Sequence, residues 1–188
     1  MTEDEARERI LSAAEELYYR KGYAAVGMDE LRSAAGVSLR RLYALFPAKS
    51  DIVAAVLARK HAEWESGLSG AVSDAGDDPR ARILAVYGYL ENWFCADDFR
   101  GCAFINAFGE LGGTNAEVAE IVRAHKASFQ EYMAGLVADT GGPPALAAQL
   151  SILAEGAQST AAISADPAVA AQARGAAEVL IDAAFARA

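Results

Sequence analysis

An all-α fold is expected for this chain of 188 residues. Three observations predict it. Apolar side chains recur at helical spacing along nearly the whole chain, and no segment alternates with the period of two that marks a strand. Helix stops and starts punctuate that pattern: Lys21-Gly22, Gly36, Asp78-Pro79, Gly112-Gly113, Gly141-Gly142-Pro143-Pro144 and Asp166-Pro167. The expected architecture is an N-terminal three-helix head with a helix-turn-helix at about 28–46, followed by a C-terminal helical bundle, about nine helices in all.

In order, residues 3–20 place Ile10, Leu11, Ala14, Leu17 and Tyr18 on one face and stop at Lys21-Gly22. Gly27 precedes a second helix that opens with Asp29 and Glu30, where the helix dipole favours negative charge. Leu31, Ala34 and Ala35 are expected to face inward. Gly36 then allows a sharp turn, because glycine reaches positive φ without steric cost, and Ser38 can cap the next helix. In that third helix Leu39, Leu42 and Phe46 are expected to face inward and Arg40, Arg41 and Ala44 outward, with Tyr43 beside Arg40. Such a helix suits a DNA major groove. A fourth helix is expected from Lys49 to about Glu65. Residues 66–78, small and acidic, are the expected break or hinge.

Asp78-Pro79 opens a fifth helix with Ile83, Val86, Tyr87, Leu90, Trp93 and Phe94 on one stripe. After a kink at 97–101, residues 102–111 form a sixth. Thr114 and Glu117 have capping-box spacing and open a long seventh helix, with Val118, Ile121, Val122, His125, Phe129, Tyr132, Met133 and Leu136 sharing a face. Two alanine-rich helices close the chain, at about 145–164 and 167–187. Their charges are few: Glu155, Arg174, Glu178, Asp182 and Arg187. That composition fits either deep burial within one subunit or, the reading favoured here, a homodimer interface in which two such hairpins meet as a four-helix bundle.

The formal net charge is −9, but it is uneven. Residues 20–60 hold eight basic side chains (Arg20, Lys21, Arg32, Arg40, Arg41, Lys49, Arg59, Lys60) against Asp29, Glu30 and Asp51, a balance of +5. Phosphate affinity depends on such local cations and not on the total. No apolar run approaches the ~20 residues needed to span a bilayer, and the acidic N-terminus is not a signal peptide. A cytoplasmic protein with no membrane association is expected, its two cysteines reduced. Cys95 and Cys102 fit no zinc spacing, so no metal and no cofactor is expected. An enzyme is not expected either: no Ser/His/Asp set, paired-carboxylate motif or phosphate-binding glycine loop is present.

The first sixty residues resemble the tetracycline-repressor (TetR) family of bacterial transcriptional regulators. The resemblance is carried by Ile10, Ala13-Ala14, Leu17, Gly22-Tyr23, Leu31, Ala34-Ala35-Gly36-Val37-Ser38, Leu42-Tyr43, Phe46 and Lys49. It implies a DNA-binding domain over 1–48 and an effector-binding and dimerisation domain over 49–188. By position it implies DNA contacts from Gly27, Met28, Ser38, Arg40, Arg41, Tyr43 and Lys49 on a palindromic or near-palindromic operator. Arg40 and Arg41 replace the family's frequent small residue and threonine, and Gly27 replaces its usual threonine or serine cap. The resemblance further implies an effector pocket between the fifth and seventh helices. Its expected lining is Trp93, Phe94, Cys102, Asn106, Glu110, His125, Phe129 and Tyr132, for an apolar or aromatic small molecule that releases a repressor from DNA. Two alternatives are a thiol sensor of oxidants or electrophiles through Cys102, and a helical small-molecule-binding protein without DNA function.

Overall fold

The structure is a computed structural model that describes residues 1–186; Arg187, at the expected end of the last helix, lies outside the described residues. All regular structure among the described residues is helical: α1 (Glu3–Lys21), α2 (Met28–Ala35), α3 (Leu39–Leu45), α4 (Lys49–Asp74), α5 (Pro79–Phe94), α6 (Ala103–Leu111), α7 (Ala116–Asp139), α8 (Pro144–Ser164) and α9 (Val169–Phe185). None of them is long and apolar enough to cross a membrane. The chain forms two compact units. One comprises Met1–Ala62 with Ala103–Ala124, the other Glu63–Cys102 with His125–Ala188. The expected boundary at 48/49 falls between α3 and α4, inside the first unit.

The first unit is organised by α1. A reciprocal capping box starts it: the Glu5 N–H donates to Thr2 Oγ1 at 3.1 Å and the Thr2 N–H to Glu5 Oε2 at 2.7 Å. Ala6, Ile10, Ala14, Leu17 and Tyr18 form its buried seam. Against that seam α2 presents Leu31 and Ala35, one turn apart. Ala34, expected inward, is exposed, because an eight-residue helix with a single seam leaves the position 100° away in solvent. Leu39 is likewise on the outside, not the inside. Val37, Leu42 and Phe46 fill the inward places around α3, so its first residue starts on the outer face.

The expected break at 66–78 is instead mostly helix, and α4 continues through Ser66–Gly70 to Asp74. Leu68 and Val72 are buried on it, and Gly67 lies against Tyr89, where an added Cβ would sit 2.8 Å from the phenol oxygen. The small residues there permit close packing; the stop comes at Gly76, with φ +80°. A second correction concerns α7. Its cap is Asn115, whose Oδ1 accepts from the Val118 N–H at 3.1 Å, whereas the Thr114 hydroxyl donates to the Leu111 carbonyl. The acid–proline start at Asp78 caps as expected, its Oδ1 accepting from the Arg80 N–H at 3.2 Å. By contrast, α9 begins only at Val169 without a side-chain cap, and Asp166 Oδ1 instead closes the preceding turn on the Ala168 N–H at 2.9 Å.

In the second unit α8 and α9 bury one stripe each, Leu150, Ala154, Ala157 and Ala161 on one, Ala170, Ala173, Ala177 and Ile181 on the other. They close over α5, where the Tyr87 hydroxyl donates to the Leu150 carbonyl at 2.9 Å. Their other faces leave Ile163 88%, Ile152 71% and Val179 67% exposed. The alanine-rich helices therefore pack inward within the subunit and still present an apolar outer surface.

Candidate nucleic-acid interface

The turn between α2 and α3 is built locally. Gly36 adopts φ +64°, a left-handed conformation that costs other residues ~1–2 kcal/mol. Its N–H and that of Val37 close the end of α2 on Ser33 and Arg32 carbonyls. Ser38 Oγ accepts from the Arg41 N–H at 3.2 Å and so caps α3. Leu42 and Phe46 hold α3 down, with the Arg7 guanidinium 4.5 Å above the Phe46 ring. Leu39 (40% exposed), Arg40, Tyr43 (46% exposed) and Ala44 make up the outer face.

Charge sharpens that face. Of the eight basic side chains between residues 20 and 60, five are paired with carboxylates of α1 and α2. Arg20 meets Glu16 at 3.3 Å, Lys21 meets Glu30 at 2.5 Å, Arg32 meets Asp29 at 2.7 Å and Arg59 meets Glu8 at 2.9 Å, while Lys60 pairs with Glu15. These partly exposed pairs add little stability, but they cancel the positive field along the flanks. The remaining three, Arg40, Arg41 and Lys49, lie on α3 and at the start of α4. Arg40 is exposed. Arg41 is half-buried and donates to the carbonyls of Met1 and Thr2 at 2.9 and 2.7 Å.

Lys49 donates to the Ala24 carbonyl at 3.2 Å, and its ammonium lies 6.0 Å from the centre of the Tyr18 ring. Burial lowers its pKa, and the carboxylate of Glu110 opposes that shift. Glu110 is placed by the same residue: it accepts the Ala24 N–H at 2.8 Å, in the space that the missing Cβ of Gly22 leaves. Tyr23 adds a hydroxyl contact to the Ala103 carbonyl at 3.3 Å. At the start of α4, Asp51 accepts from the Ala48 N–H at 2.8 Å. Gly27 caps α2 without a side chain, and Met28 follows it, half-buried.

The residues expected around an effector divide between the two units. Asn106 and Glu110 belong to the first; Trp93, Phe94, Cys102, His125, Phe129 and Tyr132 belong to the second. Within the second unit the rings form two groups. Trp64 meets His125 and Phe129 edge-on, at 5.1 and 5.3 Å between centres, and Phe99 packs against Trp93 and Phe94 at 5.2 and 4.9 Å. His125 is buried in the first of these groups. Burial raises the pKa of Tyr132, with Arg82 opposing. Cys102 is buried, its Sγ 3.5 Å from Lys126 Nζ, which pairs with Glu155 at 2.5 Å. Sequence reasoning missed Trp64, Lys126 and Glu155, whose relevance comes only from contacts distant in the chain. An open groove of about 330 Å³ lies elsewhere, on α1 and α2, lined by Arg9, Ser12, Glu16, Leu17, Arg20 and Ala34.

Residues 10–56, which contain this whole turn, match the bacterial regulatory proteins of the tetR family. A TetR-family transcriptional regulator from Streptomyces coelicolor superposes with a TM-score of 0.90 at 27% identity, covering 97% of this chain and 91% of that one. A candidate TetR regulator from Streptomyces avermitilis gives a TM-score of 0.82 at 32% identity, over 96% and 98% of the two chains. Among curated proteins, the transcriptional repressor NemR of Escherichia coli is 27% identical over 138 residues, 73% of this chain and 66% of NemR. Given the matched helix-turn-helix and a relative 32% identical over nearly the whole of both chains, this chain belongs to the TetR family of bacterial regulatory proteins.

Proposed function

We propose that the chain is a ligand-responsive DNA-binding regulator. In this reading it is a homodimeric repressor that inserts α3 into the major groove of a palindromic operator and leaves it when an apolar or aromatic small molecule binds. The observation that carries the reading is the outer face of α3, where exposed Arg40 stands beside exposed Leu39 and Tyr43. Gly27, Met28, Ser38, Arg40, Arg41, Tyr43 and Lys49 are the proposed DNA contacts. Arg40 is available as it stands, while Arg41 and Lys49 would exchange backbone carbonyls for base edges or phosphate oxygens, which are stronger acceptors for a cation. The exposed apolar faces of α8 and α9 would meet their copies across a two-fold axis. Recognition helices then fall on half-sites about 34 Å apart.

The effector is proposed to contact Trp93, Phe94, Phe129 and Tyr132, with His125 and Cys102 as polar neighbours, all within the second unit. Selection of binding sites from a randomised duplex library tests the DNA function: an inverted repeat should emerge, bound far better than scrambled duplex at 150 mM salt. Recovery of no preferred sequence would leave the helical small-molecule binder as the better reading. Titration of the DNA complex with aromatic acids, phenols and sugars tests the effector class, with release expected only from the aromatic compounds.

One contact favours a second reading, a thiol sensor. The Lys126 Nζ lies 3.5 Å from Cys102 Sγ, so this thiol has a polar contact that a merely space-filling cysteine would not need. Alkylation of the native protein by iodoacetamide, located by mass spectrometry against exposed Cys95 as the internal control, separates the readings. Labelling of Cys95 alone would sink the sensor.

A further inference from the structure

We propose that Leu39 is a specificity-determining residue, reading the C5-methyl group of a thymine in each half-site. The inference rests on the assignment of α3 to the major groove and goes beyond it by naming the base and the atom recognised. Leu39 belongs to the outer face of α3, the opposite of its expected placement. Arg41 must first give up the Met1 and Thr2 carbonyls to reach DNA, and the Ser38 oxygen already accepts the Arg41 N–H, whereas Leu39 needs no rearrangement. What α3 leaves free for a partner is Leu39 with Tyr43, one turn apart on the same face, and exposed Arg40 between them.

An isobutyl side chain cannot accept or donate a hydrogen bond. In the major groove its one good partner is the thymine methyl, the only apolar group that any base edge displays there. The surrounding cations make a polyanion the fitting occupant of this face, where an apolar protein partner would leave Arg40 without a counter-charge. Leu39 thus contributes discrimination of thymine from cytosine, while Arg40 supplies contacts to guanine or phosphate.

Deoxyuridine tests the contact, because it differs from thymidine by that methyl alone. After operator selection with the wild-type protein, each thymine is replaced in turn by deoxyuridine and binding is measured by fluorescence anisotropy. One thymine per half-site should lose about fourfold in affinity, the worth of one buried methyl. Leu39→Ala should bind the parent operator more weakly and show no further loss on that replacement, and Leu39→Met, which keeps an apolar tip, should retain the sensitivity. Indifference of the wild-type protein to every replacement overturns the proposal without needing any variant. An unchanged deoxyuridine penalty in Leu39→Ala overturns it as well. Failure to select any operator sinks the DNA-binding reading instead, a distinguishable result.

Discussion

Both α3 and the α8–α9 pair leave large apolar side chains in solvent, in opposite chemical settings. On α3, Leu39 and Tyr43 flank Arg40, with Arg41 and Lys49 nearby. On α8 and α9, Ile152, Ile163 and Val179 stand mostly among small residues, Ala148, Gly156, Ser159, Gly175, Ala176 and Ala183. An apolar group set among cations suits a surface that is itself mixed, a polyanion with methyl-bearing edges. The same group set among small residues suits another helix, which it lets approach closely. Exposure alone would have assigned the two regions to one class; their neighbours separate them.

The largest expected effect strikes the α8–α9 side. Ile163→Arg combined with Val179→Arg places two cations in the proposed dimer interface, where burying an unpaired charge is prohibitive. Light scattering should report a monomer, and operator affinity should fall by about a hundredfold or more as two-site binding is lost. A dimer that survived both substitutions would assign those faces to something else.

Next is a contrast between two buried tyrosines. Tyr87→Phe removes the buried hydrogen bond to the Leu150 carbonyl, which keeps its helical bond within α8, at a cost of about 0.5–1.5 kcal/mol. Each kcal/mol should lower the melting temperature by about 2–4 °C. Tyr18→Phe should change stability by less than about 0.5 kcal/mol or raise it slightly, because its buried hydroxyl has no hydrogen-bond partner among the described residues. Equal losses in calorimetry for the two variants would contradict that account.

On the α3 side the effects need salt to be read. Lys49→Ala should weaken all duplexes about equally and reduce the slope of log affinity against log salt by about one phosphate contact. Arg40→Ala should lose about 1–3 kcal/mol on the selected operator and much less on scrambled DNA if it pairs with a guanine. Identical losses on both duplexes would assign Arg40 to the phosphate backbone. The smallest expected change is at Arg20, already paired with Glu16 on the exposed surface of α1. Arg20→Ala should move DNA affinity less than any of these.

The legible features are those whose causes lie within a few residues. Gly36 turns, Ser38 and Asp78 cap, and Leu42 and Phe46 recur at helical spacing, so the helix-turn-helix was readable from local chemistry. Helix order was readable for the same reason. Residues 66–78 were not, because their small side chains look like a break until Tyr89 is seen against Gly67. The Asn115 cap was missed by one residue, since neighbouring Thr114 offers the same chemistry. The bond from the Ala24 amide to Glu110 spans 86 positions in the chain, so no local pattern announces it.

By itself, then, the sequence determined an all-helical chain with a TetR-type head, because turns, caps and helical periodicity act over four residues or fewer. Only the tertiary structure decided which side of α3 Leu39 occupies, which cations remain unneutralised and which alanine-helix faces stay open. Those outcomes depend on where α1, α2 and α5 place their own side chains, and no local pattern encodes the position of a distant partner.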